Sequence, residues 1–136
     1  MNSLAPHEGL PEVLVMILYF YPKDSTPGCT NEACNLRDNY ERMLSKGYAV
    51  VGVSVQDAKS HQRFIEKYQL PFPLIADTEL QLVQQFGVWG EKKMAGRTYM
   101  GTLRTTFVIN EEGIIEDIFT PKQIKVKEHA QQILKD

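Results

Sequence analysis

Two cysteines, Cys29 and Cys34, stand five residues apart within the stretch YPKDSTPGCTNEAC, Tyr21 to Cys34, and they are the only two in the chain. A thiol acts as a nucleophile only as its thiolate, and an ordinary thiol is only about 3% ionised at pH 7, against about 90% once its pKa is lowered to about 6. Lowering the pKa softens the nucleophile, but the gain in population outweighs that loss down to ambient pH. Position decides which regime applies. Thr26 followed by Pro27 reads as a cap residue and then the residue best suited to the first helical position, which puts Cys29 in the first turn of a helix. There its sulfur faces unpaired backbone N–H groups and the positive end of the helix dipole. A helix start supplies only about 0.3–1 kcal/mol, so a cation is expected beside the sulfur. Arg104, at the entrance to a strand over 105–110, is the candidate.

Five residues along an intact helix turn Cys34 away from Cys29 by roughly 140° and separate the Cα atoms by about 8–9 Å. A disulfide needs Cα atoms within about 7 Å, so bonding the pair requires the first turns of the helix to unravel. Other readings compete. A cysteine after a Pro-Gly turn is often only a small packed residue, and Cys34 beside Ala33 could be core. Zinc binding is disfavoured because the spacing is C-x4-C, no second cysteine pair exists, and His7, His61 and His129 are scattered. The C-x-x-C of thioredoxin-type reductases is lacking. Lys92, Lys93 and Arg97 lie among glycines that fit neither a P-loop nor a dinucleotide fingerprint, so that stretch reads as a mobile loop. His129 reads as a helix-face residue rather than a base.

The elements that position these residues follow from periodicity. VLVMILYFY, residues 13–21, is apolar on both faces, as a central strand covered on both sides requires, and Pro22 ends it. A helical pattern spans about 27–46, stopped by Gly47, and a second two-sided strand covers 49–55. Asp57 caps a helix over 58–69, a short third strand covers 72–76, and Asp77 or Thr78 caps a helix over 79–86. Residues 87–101, with four glycines, read as a loop. Strands over 105–110 and 114–120 form a hairpin across Glu111-Glu112-Gly113, and a last helix covers about 123–135. The alternation predicts an α/β fold with a mixed central sheet and helices on both faces.

Composition narrows the function classes. The 136 residues fit one domain, 1–136, with 43% hydrophobic residues and a net charge of −2 from 15 basic and 17 acidic side chains. No basic patch points to nucleic acid. The longest apolar run is about half of a membrane span, and no secretory leader is visible, so a cytoplasmic protein is expected. In that reducing setting two cysteines read as chemical rather than structural.

With these residues in view the chain resembles the peroxiredoxins of the Q subgroup, the bacterioferritin comigratory proteins. Their Pro-x-x-x-Thr-x-x-Cys signature falls on Pro22, Thr26 and Cys29, and TPGCTNEAC continues to Cys34. FGVWGEKKMAGRTYMG followed by RTTFVINEEGII is similar to the family's downstream loop and strand, with the active-site arginine at Arg104. The resemblance implies a thioredoxin-like fold and reduction of hydrogen peroxide or alkyl hydroperoxides without metal, haem or flavin. Cys29 is then peroxidatic and Cys34 resolving, Thr26 and Arg104 hold the peroxide, and Pro22 shields the sulfur. Thioredoxin or a similar dithiol donor restores the thiols. Glu32 matches the pattern without an assigned role.

Members of that family usually begin with a hairpin before the first central strand, and here a divergent segment, 1–12, stands in its place. Loss of the hairpin is expected to lower stability or favour self-association, giving a monomer or weak homodimer. Two alternatives to the enzyme remain on sequence grounds: a non-catalytic redox sensor or binding module whose partner reads the disulfide, and a purely structural disulfide.

Overall fold

The computed structural model describes residues 14–136; the divergent segment 1–12 lies outside the described residues. Strand β1 (Val15–Phe20) is the centre of a five-stranded sheet. Its alternation sends Ile17 and Tyr19 to one face and Leu18 and Phe20 to the other, all four buried. That two-sided burial accounts for the apolar run from Ile17 to Tyr21. On one side β1 pairs in parallel with β2 (Tyr48–Ser54), which pairs in parallel with β3 (Leu74–Ala76). On the other it pairs antiparallel with β6 (Thr105–Asn110), and β6 with β7 (Ile115–Phe119). The order is β3-β2-β1-β6-β7, a mixed sheet as expected. Pro73 cannot donate to the ladder, so β3 is a short edge strand beginning at Leu74.

Helices cover both faces unequally. Helices α1 (Pro27–Asp38), α2 (Tyr40–Ser45), α3 (Ala58–Tyr68) and α5 (His129–Leu134) pack Ala33, Leu36, Met43, Phe64, Ala130 and Ile133 against Ile17, Tyr19 and Val50. On the opposite face, α4 (Gln81–Gln85) contributes Val83, and with Val88 it covers Leu18, Phe20, Val53 and Phe107. The capping residues act as expected: Asp57 accepts from Ser60 N at 2.8 Å, and the Asp77 carboxylate accepts from the backbone N of Gln81, Leu82 and Val83.

Three expectations are corrected. The helical run over 27–46 is two helices, because the Asn39 side chain donates to the Asn35 carbonyl at 2.8 Å and its backbone leaves helical geometry there. The final helix is confined to His129–Leu134, since the Gln132 side chain takes the Lys125 N–H and donates to the Gln123 carbonyl, closing the preceding segment as turns. Residues 87–101 are not a loop: β4 (Trp89–Met94) and β5 (Arg97–Thr102) form an antiparallel hairpin. Its two turn residues, Ala95 and Gly96, have φ of 51° and 80°, the signature of a type I′ turn.

Candidate active site

Cys29 is the third residue of α1, just past the strand-to-helix loop that Pro22 opens. Pro27 occupies the start of the helix, and the extended Thr26 backbone accepts from Thr30 N at 2.8 Å. The Thr26 side chain does not cap the helix. Its hydroxyl donates to the Lys23 carbonyl at 2.9 Å, so the Oγ1 lone pairs remain as acceptors.

The Cys29 side chain is 1% exposed, and its Sγ accepts a hydrogen bond from Arg104 Nη2 at 3.2 Å. The expected cation is therefore in place, delivered by the residue before β6, which is the antiparallel neighbour of β1. Gly28 makes room for it: a Cβ there would stand 3.3 Å from Nη2. The other guanidinium nitrogen, Nη1, donates to Glu32 Oε1 at 2.5 Å. Cys29 and Glu32 are three residues apart on α1 and so share one face, which lets a single guanidinium hold both.

Glu32 is completely buried, and burial pushes its carboxyl up to about 7 while the Arg104 charge and hydrogen bond pull the other way. Its second oxygen has no hydrogen-bond partner among the described residues and lies 3.9 Å from His129 Nε2. His129 is also fully buried, held between Thr106 Oγ1 at 2.8 Å and Gln132 Oε1 at 2.9 Å. Burial lowers its pKa to about 4, and the nearby Arg104 acts in the same direction. The imidazole is accordingly neutral at pH 7, and its contact with Glu32 is not an ion pair. His129 is the first residue of α5 and packs from that helix against Glu32.

The sulfur lies at the base of a cleft of about 490 Å³, whose walls include Pro22, Thr26, Trp89, Lys92, Met100 and Arg104. All of the sequence-predicted site residues except Cys34 meet there. Lys92 donates to the Thr102 carbonyl at 3.0 Å. Burial and the Arg104 charge lower its pKa. The sequence reading does not single out Trp89 and leaves Lys92 in a loop, because the segment's glycines mask a hairpin. The paired Gly90 and Gly101 are in fact close-packing positions, where a Cβ would come within 2.9 Å of Leu103 and Lys92 side-chain atoms.

Cys34 is half-buried further along α1, which is continuous from Pro27 to Asp38, and both thiols are free. Among the described residues, no group of three or more His, Cys, Asp or Glu side chains could hold a metal ion, and no helix is long and apolar enough to cross a membrane.

The sequence and fold have counterparts in known proteins. Residues 10–118 match the AhpC/TSA family model. The chain is 46% identical over 124 residues to peroxiredoxin Bcp of Bacillus subtilis, covering 89% of this chain and 78% of the relative. It is 43% identical over 119 residues to peroxiredoxin Bcp of Escherichia coli, covering 88% and 75%. Among solved structures, the bacterioferritin comigratory protein of Xanthomonas campestris, studied for its alkyl peroxide reduction in trapped intermediate and ligand complexes, superimposes with a TM-score of 0.84. It is 34% identical, over 98% of this chain and 80% of that one. BcpB of Mycobacterium tuberculosis gives 0.79 at 30% identity, over 92% and 79%. A cysteine at a helix start bonded by an arginine from the neighbouring strand, on a thioredoxin-like sheet, thus accompanies sequence likeness along most of the chain, which belongs to the AhpC/TSA family as a peroxiredoxin of the Bcp or Q type.

Proposed function

We propose that this peroxiredoxin reduces hydrogen peroxide and alkyl hydroperoxides with Cys29 as the peroxidatic and Cys34 as the resolving cysteine. The observation that carries the assignment is the hydrogen bond from Arg104 Nη2 to Cys29 Sγ, 3.2 Å long and largely shielded from solvent at the base of the cleft. A guanidinium so placed stabilises the sulfur anion and, once peroxide binds, the charge that develops on the departing oxygen.

In the first step the Cys29 thiolate attacks the terminal peroxide oxygen, the O–O bond breaks, and the alkoxide or hydroxide leaves and takes a proton. Thr26 Oγ1, its own hydrogen engaged by the Lys23 carbonyl, is an acceptor for the peroxide hydroxyl. Pro22 lines the cleft beside the sulfur and limits water at the reacting atoms. The product is a sulfenic acid on Cys29. In the second step the Cys34 thiolate attacks that sulfur and water is released as the disulfide forms. Because α1 is continuous through both cysteines, this step requires its first turns to unwind. In the third step an external dithiol protein, thioredoxin or one like it, reduces the disulfide and is itself oxidised. The cycle calls for no metal or organic cofactor and no nucleic acid, it suits a reducing compartment such as the cytoplasm, and a monomer or weak homodimer suffices for it.

A coupled assay with thioredoxin, its reductase and NADPH tests the proposal. Peroxide consumption is expected to vanish in Cys29→Ser, and Cys34→Ser is expected to stop after one turnover with a trappable sulfenic acid. Undiminished turnover in Cys29→Ser would refute the assignment.

A further inference from the structure

Beneath the loop that delivers Cys29 lies a second buried polar cluster that the peroxide chemistry does not use. Asp24, in the segment between β1 and α1, is 7% exposed. Its Oδ1 accepts from the Tyr21 hydroxyl at 2.5 Å, and its Oδ2 from Ser60 Oγ and His61 Nδ1, each at 2.7 Å. Its backbone N donates to Gln56 Oε1 at 2.5 Å. His61, 3% exposed on α3, has its other ring nitrogen 3.0 Å from the Ile75 carbonyl of β3. A carboxylate faces one nitrogen and a carbonyl the other. Asp24 is held below its ordinary value and His61 above its own, so with the carboxyl ionised neither acceptor can donate and both ring nitrogens carry hydrogen, as in an imidazolium. One ion pair therefore joins the active-site loop, α3 and the sheet edge.

A buried ion pair is weak evidence of net stability, because desolvation offsets most of the attraction; what it supplies is a defined geometry. Asp24 lies two residues before Thr26 and five before Cys29, and Ser25 between them is held at φ of 63°. Few non-glycine residues adopt that conformation unless their surroundings impose it. We propose that Asp24 and His61 are positioning residues for the peroxidase, their ion pair pinning the Tyr21–Thr26 loop to α3 and β3 and so fixing where Thr26 and Cys29 stand relative to Arg104. The inference rests on the peroxidase reading above.

The titratable groups touching His61 are Asp24 from the loop and Tyr21, the first residue after β1; Ser60 from its own helix and the carbonyls of Ile75 and Ser54 are neutral. Burial opposes the charge on His61, but the hydrogen bond and charge of Asp24 outweigh it and hold the imidazole above its ordinary value. Asp24 is held below its own: burial again opposes, and the hydrogen bonds from His61, Tyr21 and Ser60 prevail. For a raised histidine the contribution is complete below the ordinary histidine pKa and is lost as the pH climbs through the raised one. The pin should therefore loosen as the pH rises beyond the ordinary histidine range.

The test uses Asp24→Asn and His61→Gln in the full chain. Oxidation of Cys29 by limiting hydrogen peroxide is followed in a single turnover by the fluorescence of Trp89, the sole tryptophan, which lines the cleft. Hydrogen exchange of amides 22–26 is measured alongside. Both variants are expected to oxidise about ten- to a hundredfold more slowly at pH 7, the range a misplaced reacting group produces. Their loop amides should exchange faster, and the ratio of wild-type to His61→Gln rates should fall towards one as the pH rises past the histidine range. Variants that melt earlier but oxidise at the wild-type rate with an unchanged pH profile would overturn the proposal. If either fails to fold, Ser60→Ala, which removes one neutral donor from Asp24, should slow oxidation to a lesser extent, and no slowing would count against the pin. Absence of peroxide reduction by the wild type would instead defeat the peroxidase reading, and loop exchange would still decide the pinning.

Discussion

Replacing Glu32 by glutamine and, separately, His129 by asparagine should tilt the pH dependence of stability in opposite directions. Both residues are fully buried and 3.9 Å apart, and burial shifts each towards its neutral form. The Glu32 carboxyl rises from 4.5 to about 7, so the folded chain holds a proton that the unfolded chain has released. Its contribution is complete below pH 4.5 and is lost as the pH rises to about 7. His129 falls from 6.5 to about 4, so its contribution is present above pH 6.5 and is lost as the pH falls to about 4. At about 1.4 kcal/mol for each tenfold change in proton affinity, either displacement is on the order of 3 kcal/mol. Between pH 4.5 and 6.5 the two slopes oppose one another and largely cancel in the wild type. Glu32→Gln removes the falling slope, so its stability relative to wild type should climb as the pH rises through this window; for His129→Asn it should decline. Urea unfolding at half-unit steps from pH 4.5 to 7.5, with constant m values, measures both. Two variants whose curves run parallel to wild type across that range would show that neither buried group changes its proton affinity on folding.

Other consequences concern the site and its scaffold. Arg104→Met removes the donor to Cys29 Sγ and should slow the first oxidation by about 10²–10³-fold, the usual loss for one preorganised donor, as read by stopped-flow fluorescence. Thr26→Val should slow the same step while Thr26→Ser largely preserves it, because the peroxide hydroxyl needs only the acceptor oxygen; equal rates in the two would count against that role. Gly52→Ala would place a Cβ 2.7 Å from Leu74 Cδ2 and 2.9 Å from Tyr19 Cε1, and overpacking beside that buried ring should cost about 1–3 kcal/mol in urea unfolding.

Much of this molecule was legible because it is built from short-range rules. The two-sided apolar run at Val13–Tyr21, the Asp57 and Asp77 caps and the Gly113 turn each declare themselves within a few residues, and the structure bears out the strands and helices they imply. Thr26-Pro27 likewise announced the helix start and hence the place of Cys29. What the pattern hid were features decided by side chains reaching across the fold. Asn39 breaks a helix whose apolar period continues past it, and Gln132 holds its upstream neighbours in turns. Gly90 and Gly101 look like loop residues until they face each other in a hairpin that brings Trp89 and Lys92 to the cleft. Glu32 fitted a family pattern without a reason. The reason is Arg104, 72 residues away, a pairing that no local spacing encodes.

The most direct test of the account follows the two sulfurs through one equivalent of hydrogen peroxide. Cleavage after Lys23 and Arg37 releases residues 24–37 as a single peptide carrying both Cys29 and Cys34. Before peroxide that peptide should take up two alkylating labels. Afterwards it should take up none and be lighter by two hydrogens than the unlabelled reduced form, and in Cys34→Ser it should carry one added oxygen on Cys29. A peptide that still takes both labels after its peroxide has been consumed would contradict the account.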